Sequence, residues 1–404
     1  MKLPNDIKQL KVLSNNEYIG LLTRTAHYNY QPNTINTPPS ITMNRGNLEP
    51  FNHGVLHPIF AQNLPEGSNR RYIADKLARY ANVDDMYLLA LQADNGIGLL
   101  SYEGDIVLPE VEHTPISEII NYAGESPIFP SLLERYYLRN MVGGMQPKVL
   151  LSSDFGRMVE QKNFIVKSSS EEFPLLTINE YVCMQAARAC NLNAPPTYLS
   201  ANTELFVIER FDKPNGTPLG YEDFTTLMKK GLEPTAKYQG SYEHLLKATQ
   251  IFTKNIDETK KMYEYIIFNC LIGNGDAHLK NFALQYTPNY KHVFVSPIFD
   301  VTHTQIYAKQ GVIDSKMALK MSNSKTFPGR ERLLSLAAAA NIGNDIANNI
   351  IDRLAQGIID YISSSDEVKI FKGLFESISE SVTLATGTQY NPKGYVYDRR
   401  LKFE

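Results

Sequence analysis

Residues 272–284 read IGNGDAHLKNFAL. An apolar helical run, MYEYIIFNCL (262–271), stops at Gly-Asn-Gly; the acid Asp276 follows at once, and the amide Asn281 comes five positions later. The chain then turns β-prone, FALQY. Phosphoryl-transfer loops of the form D-x-x-x-x-N need this order. There the acid accepts the proton of the substrate hydroxyl and the amide oxygen holds Mg²⁺. The bland alternative is an Asx-type helix exit, with Asn281 capping the next element. His278, inside the loop, either lines such a site or is a satisfied polar residue.

The surroundings bear on that choice. Mg²⁺ prefers oxygen ligands and keeps several waters, so one amide and one further carboxylate suffice. HVFVSPIFDVTH (292–303) offers Asp300 at the end of an apolar, β-prone stretch. That is the place of the metal-binding Asp in a kinase DFG segment, although the local order here is Phe299-Asp300-Val301. A kinase also needs a strand lysine for the nucleotide phosphates and a helix glutamate to hold it. NFIVK supplies Lys167 and INEYVC supplies Glu180. LFVIERFD is a long apolar strand ending at Glu209-Arg210-Phe211, where a hinge would meet adenine. MVGGMQPKVLL precedes the lysine strand; Gly143 and Gly144 permit close backbone approach to phosphate, and Lys148 adds a cation. Each feature alone is ordinary; together they run in kinase order.

Composition excludes several other classes. Forty Lys and Arg against 43 Asp and Glu give a net charge of -3, so the balance supplies no electrostatic argument for direct nucleic-acid binding. The local clusters SNRRYIADKLARY and TKNIDETKKM are interleaved with acids and read as solvated helix faces. Cys183, Cys190 and Cys270 form no CxxC pair and read as buried core thiols in a reducing compartment. MKLPNDIKQLKVL contains no apolar signal core, and no run reaches the ~18 apolar residues of a membrane span. A cytoplasmic location with no membrane contact is the expectation.

Three textures divide the chain. Residues 1–115 begin with strand-like pieces (KQLKVLS, EYIGLLTRT, HYNYQP) and a Pro/Thr/Asn-rich loop. Two helical patterns follow: NRRYIADKLARYANV, with Tyr72, Ile73, Leu77 and Tyr80 on one face, and DDMYLLALQ. Residues 116–215 read as mixed: strands at PKVLLSS, KNFIVKSSS and NTELFVIERFD, and a helix at TINEYVCMQAARACNL that Thr177 or Asn179 would cap. Residues 216–404 are mainly helical; in NDIANNIIDRLAQGIIDYISSS, Ile346, Ile350, Ile351, Leu354, Ile358 and Ile359 keep one apolar face.

The segments GGMQPK, NEYVCMQAARACNLNAPP, VIERFDK, GNGDAHLKNFAL, PIFDVTH and MALKMSNS resemble the signature segments of the HipA-like toxin kinases. NLPEGSNRRYIADKL resembles that family's N-terminal subdomain, and the resemblance runs from about residue 10 to about residue 325. It implies an α+β, protein-kinase-like two-lobe fold: a β-rich N-terminal subdomain (1–115), a kinase small lobe (116–215) and an all-α large lobe (216–404). It implies a serine/threonine protein kinase that uses ATP and Mg²⁺, phosphorylates a cellular protein to arrest growth and is neutralised by a small helix-turn-helix antitoxin. DNA would be met only through that partner. By position, it places the catalytic base on Asp276, with Lys167 and His278 beside it, and the metal ligands on Asn281 and Asp300. Nucleotide contacts fall to Gly143, Gly144, Gln146, Lys148, Lys167, Glu209, Arg210, Phe211 and His278.

Two departures stand out. Relatives often carry a serine before the loop glycines and phosphorylate it to inactivate themselves; here Met141 stands there, and Ser152 and Ser153 come only on the next strand. Pro147 precedes Lys148, which stiffens the loop and removes one N–H donor. NGDAHLKN also resembles the loop of small-molecule kinases of the aminoglycoside-phosphotransferase type. Such an enzyme has no need of NLPEGSNRRYIADKL. A non-catalytic binder would need neither Asp276, Asn281, Asp300 nor Lys167.

Overall fold

A computed structural model of the protein describes residues 3–33, 37–43, 50–108, 114–139, 148–154, 161–231, 233 and 235–393. The chain forms two compact units, both discontinuous in sequence. The first comprises Met1–Ser169, Ser200–Ala236 and Ala283–Val293; the second comprises Ser170–Leu199, Lys237–Phe282 and Phe294–Glu404.

In the first unit the opening strands form where the sequence alternates. Gln9–Ser14, Glu17–Arg24 and Tyr28–Pro32 lie in a five-stranded antiparallel sheet, with Phe51–His53 at one edge and Leu100–Glu103 at the other. Leu10, Val12, Ile19, Leu22 and Tyr30 are buried with Phe60 and with Leu88, Leu89 and Leu91 of the helix Asp85–Gln92. Each such side chain contributes roughly 1.5–3 kcal/mol by leaving water. Asp84 caps that helix, its carboxylate accepting the Tyr87 N–H at 2.9 Å. The helix Gly67–Leu77 buries Ile73 and Leu77 but ends there, so Tyr80 lies beyond it and is 60% exposed.

A second antiparallel ladder joins Lys148–Asp154, Gln161–Ser168 and Leu205–Glu209. Its two outer members pair with Gln161–Ser168, which puts Lys148 and Phe206 on either side of Lys167. A third pairing sets Gly220–Asp223 against Ala283–Tyr286. Glu222, on the first of these strands, is fully buried; its carboxylate accepts from the Ser40 hydroxyl (2.7 Å), the Ile41 N–H (2.8 Å) and the Tyr286 hydroxyl (2.9 Å).

The second unit is mainly helical. Tyr242–Thr253, Ile256–Leu271, Arg330–Ala339, Asn344–Ser364 and Leu374–Thr386 occupy the stretches whose apolar residues recur at helical spacing. Ile350, Ile351, Leu354, Ile358 and Ile359 are buried as expected, whereas Ile346, in the first turn, is 47% exposed. The helix Leu176–Ala189 begins differently from its reading. Leu175, at φ 57°, precedes it with no side-chain cap, and Thr177 and Asn179 lie inside the helix, buried. Asn179 instead bonds to a distant loop, described below. Cys183, Cys190 and Cys270 are all free and buried, and burial pushes each thiol up, Cys190 and Cys270 to about 12. No helix among the described residues is long and apolar enough to cross a membrane.

Candidate active site

The site in the second unit starts from the end of a helix. Ile256–Leu271 is opened by Asn255, whose side chain accepts the Asp257 N–H at 2.9 Å, and by two acids in its first turn, which suit the positive end of the helix dipole. It is closed by Gly273 at φ 74°, the left-handed conformation that glycine adopts without steric cost. Asn274 then bridges backward and forward. Its Nδ2 donates to Asn269 Oδ1 at 2.7 Å, and its Oδ1 accepts the Asp276 N–H at 3.0 Å. Gly275 has no room for a side chain: a Cβ would lie 2.7 Å from the Lys316 carbonyl oxygen and 2.8 Å from Thr304 Oγ1. The two glycines and the asparagine thus aim Asp276.

Asp276 Oδ1 accepts from the Tyr238 hydroxyl at 3.2 Å. Its carboxyl is pushed up to about 6, first by loss of hydration; the Lys237 cation pulls it back and the Asp300 carboxylate raises it. Solvent still reaches the side chain. Asn281 and Asp300 meet directly: Asn281 Nδ2 donates to Asp300 Oδ2 at 2.7 Å, while Asn281 Oδ1 accepts the His278 N–H at 3.3 Å. Asp300 holds φ at 57°, a left-handed strain on the order of 1–3 kcal/mol that persists where surrounding contacts over-determine it. His278 is buried and its ring meets Tyr238 edge-on, centroids 5.4 Å apart. Burial, with Lys237 next, depresses its pKa to about 3, so the imidazole is neutral at pH 7.

This donor set fits a hard cation. Asp300 offers carboxylate oxygens, and the Asn281 amide, which here turns its nitrogen to Asp300 and its oxygen to the His278 N–H, would present an oxygen to a metal by turning over; Asp300 lies near enough to Asp276 to raise its pKa, so a divalent ion there would relieve carboxylate repulsion. Among the described residues there is no cluster of three or more His, Cys, Asp or Glu that could hold a metal.

The first unit supplies a different chemistry. Lys148 and Lys167 are register partners on adjacent antiparallel strands, and both are buried. Lys167 Nζ also lies 5.8 Å from the Phe206 ring centroid. The candidate hinge is largely committed to the fold. The Arg210 N–H donates to the Asn163 carbonyl (2.8 Å), and Phe211 O accepts from Gln285 Nε2 (3.1 Å). The Arg210 guanidinium is fully buried against Asp212 (Nε–Oδ1 2.9 Å) and the carbonyls of Asn95 (2.9 Å) and Gly96 (2.7 Å). Glu209, the last residue of its strand, pairs with Phe164. Glu180 is buried on the helix Leu176–Ala189. Met141, Gly143, Gly144 and Gln146 lie outside the described residues.

Sequence reading missed Lys237 and Tyr238, which face the base from a short 3-10 turn, Ala236–Tyr238. Nothing in GLEPTAKYQG marks them, because their role depends on a tertiary approach. It read Asn179 as a cap, held His303 only within the segment PIFDVTH, and did not single out Thr304.

A kinase-like α+β protein is the class that this loop chemistry and these ladders define. The chain belongs to the HipA-like kinase family: the HipA-like C-terminal domain model matches residues 141–362 and the HipA N-terminal domain model residues 10–103. It is 26% identical over 365 residues to "Putative kinase Y4mE" of Sinorhizobium fredii, covering 83% of this chain and 85% of that protein. It is 22% identical over 272 residues to "Serine/threonine-protein kinase toxin HipA" of Shewanella oneidensis, covering 60% of this chain and 62% of that protein. Among solved structures, the Shewanella oneidensis HipA, HipB and operator DNA complex matches with a TM-score of 0.66 at 18% identity, over 93% of this chain and 97% of that one. The expected α+β, two-lobe kinase-like fold class is the one observed.

Proposed function

We propose that this chain is an ATP-dependent serine/threonine protein kinase of the HipA toxin type, which phosphorylates a cellular protein and so arrests growth. The observation that carries the reading is the Asn281–Asp300 contact at 2.7 Å, set in a loop that presents Asp276. Asp276 accepts the proton of the substrate Ser or Thr hydroxyl as its oxygen bonds to the γ-phosphorus; the bond from that phosphorus to the β-phosphate bridging oxygen breaks and ADP leaves. Asn281 and Asp300 would hold Mg²⁺, which neutralises phosphate charge when bound. Lys148 and Lys167 meet nucleotide phosphates. Neutral His278 lines the phosphate side as a hydrogen-bonding group without charge. Glu209 to Phe211 border the adenine, with the Arg210 side chain serving the fold.

In this reading residues 1–115, 116–215 and 216–404 act as N-terminal subdomain, small lobe and large lobe of a cytoplasmic enzyme. The likeness to HipA in a complex with HipB and operator DNA supports a small helix-turn-helix antitoxin as partner, with DNA met through it. A small-molecule kinase of the aminoglycoside-phosphotransferase type would leave the HipA N-terminal match at 10–103 without a purpose.

Asp276→Asn tests the reading. The change is nearly isosteric and removes the proton acceptor, so transfer of labelled γ-phosphate to lysate protein should fall ~10²–10⁴-fold. ATP binding, followed by thermal shift, should remain. A variant that keeps more than half the wild-type rate would refute the assignment of the base.

A further inference from the structure

We infer that Thr304, braced by His303 and Asn179, is a positioning residue that sets the base loop against the metal-side loop. The inference rests on the kinase reading above. The dipeptide His303-Thr304 follows Asp300 by three and four residues, and each of its polar groups goes to a different element. The Thr304 hydroxyl accepts the Gly275 N–H at 2.7 Å and donates to the Gly273 carbonyl at 3.2 Å; the Thr304 N–H reaches that same carbonyl at 3.1 Å. Gly275 immediately precedes Asp276, so one hydroxyl grips the backbone on the approach to the base. Thr304 itself is buried.

His303 is fixed on both ring nitrogens. Nδ1 lies 2.6 Å from the Ile272 carbonyl, which only accepts, so Nδ1 carries the proton. Nε2 then accepts from the Ser377 hydroxyl at 2.8 Å. The ring is wholly buried, and a neutral tautomer satisfies both contacts. The His303 backbone is held as well. Its N–H donates to Asn179 Oδ1 at 2.7 Å, and its carbonyl accepts from Asn179 Nδ2 at 2.9 Å. The amide thus pairs with the main chain as a neighbouring strand would. Asn179 sits on Leu176–Ala189 one residue before Glu180, and Ser377 sits on Leu374–Thr386.

The consequence is geometric. Asp300 is tethered through three residues to a segment that cannot shift without breaking bonds to two helices and to the exit of Ile256–Leu271. Asp276 is tethered to the same segment through Gly275. The separation of base and metal ligand is therefore set by Thr304, and loss of that setting should slow transfer more than it weakens nucleotide binding, because small misplacements cost rate steeply.

Thr304→Val keeps the shape and removes the hydroxyl; Thr304→Ser restores it. The wild-type chain and both variants should be compared in γ-phosphate transfer to a lysate substrate, with KM for ATP and kcat separated, and with amide exchange followed over residues 273–277. Val should lower kcat about ten- to a hundredfold, leave KM for ATP within about threefold, and speed exchange at Gly275. Ser should recover kcat and protection together. Thr304→Ala, held to the same criteria, replaces Val if that variant does not fold. Wild-type kcat in Val, no recovery in Ser, or equal losses in kcat and ATP affinity would overturn the positioning role. Absence of transfer by the wild-type chain would overturn the kinase reading, and this role with it.

Discussion

Gly273→Ala separates two costs that usually arrive together. At φ 74° any L-residue pays a left-handed penalty, about 1 kcal/mol after the gain from a stiffer unfolded chain. Position 273 adds a steric cost, because the new Cβ would lie 2.7 Å from Ser381 Oγ, 2.9 Å from His303 Nδ1 and 3.1 Å from Gln305 Cγ. Ser381 has a hydroxyl that can rotate away, but the His303 ring is pinned at both nitrogens. Overpacking of this kind costs ~1–3 kcal/mol, so the sum is roughly 2–4 kcal/mol. For a unit of about 150–250 residues that lowers Tm by roughly 5–15 °C. Gly387→Ala is the internal control: it caps Leu374–Thr386 at φ 70°, and nothing lies within 4 Å of its Cβ position. It should lose only the left-handed term, about 2–4 °C. Scanning calorimetry of the three chains decides the matter. Equal Tm values for the two alanine variants, within about 2 °C, would refute the steric reasoning.

Arg210→Met should cost about 3–5 kcal/mol in urea unfolding, because Asp212, 1% exposed, is left as an unpaired buried carboxylate; a loss under 1 kcal/mol would count against that ion pair. Glu222 is raised by burial from 4.5 to about 7, so its contribution to stability is full below pH 4.5 and is lost as pH rises through about 7. Relative to Glu222→Gln, the wild type should therefore lose on the order of 3 kcal/mol between pH 4.5 and pH 8, and parallel stability curves would exclude this. The carboxyl of Asp276 is raised too, so kcat/KM for phosphoryl transfer should climb as pH rises through about 6 and level off above it; a profile flat from pH 5 to 8 would show that no such base operates. ATP with Mg²⁺ should raise Tm more than ATP with EDTA, and Asp300→Ala should erase most of the difference; equal shifts in the wild type would refute a metal held at Asn281 and Asp300.

The chemistry of this chain was more legible in the sequence than its connectivity. Asp276, Asn281 and Asp300 stand out because short loops carry them at fixed offsets from strong helical and β-prone runs, and the structure brings Asn281 and Asp300 into contact. The helices of the second unit follow from apolar spacing that local propensity supports. Three things were beyond such a reading. Asn179 looks like a cap, because Asn is favoured there; it lies inside the helix because its amide pairs with His303, 124 residues away. Ile346 keeps helical phase but sits in the first turn, where no neighbouring element covers it. Lys237 and Tyr238 reach Asp276 only through the fold.

The discontinuity of the two units has a consequence for how the chain is made. The first unit is not finished when its last long segment ends at Ala236, because Ala283–Tyr286 is the strand that pairs with Gly220–Asp223. On the ribosome, Glu222 must wait more than sixty residues for the Tyr286 hydroxyl that completes its shell. During that interval the helix Ile256–Leu271 emerges, although it belongs to the other unit. A chain cut between residues 224 and 282 therefore leaves an unpaired strand edge and a buried acid short of a donor. Halves of this protein divided within that interval should aggregate when expressed separately, and a stop codon there should yield no partly active fragment.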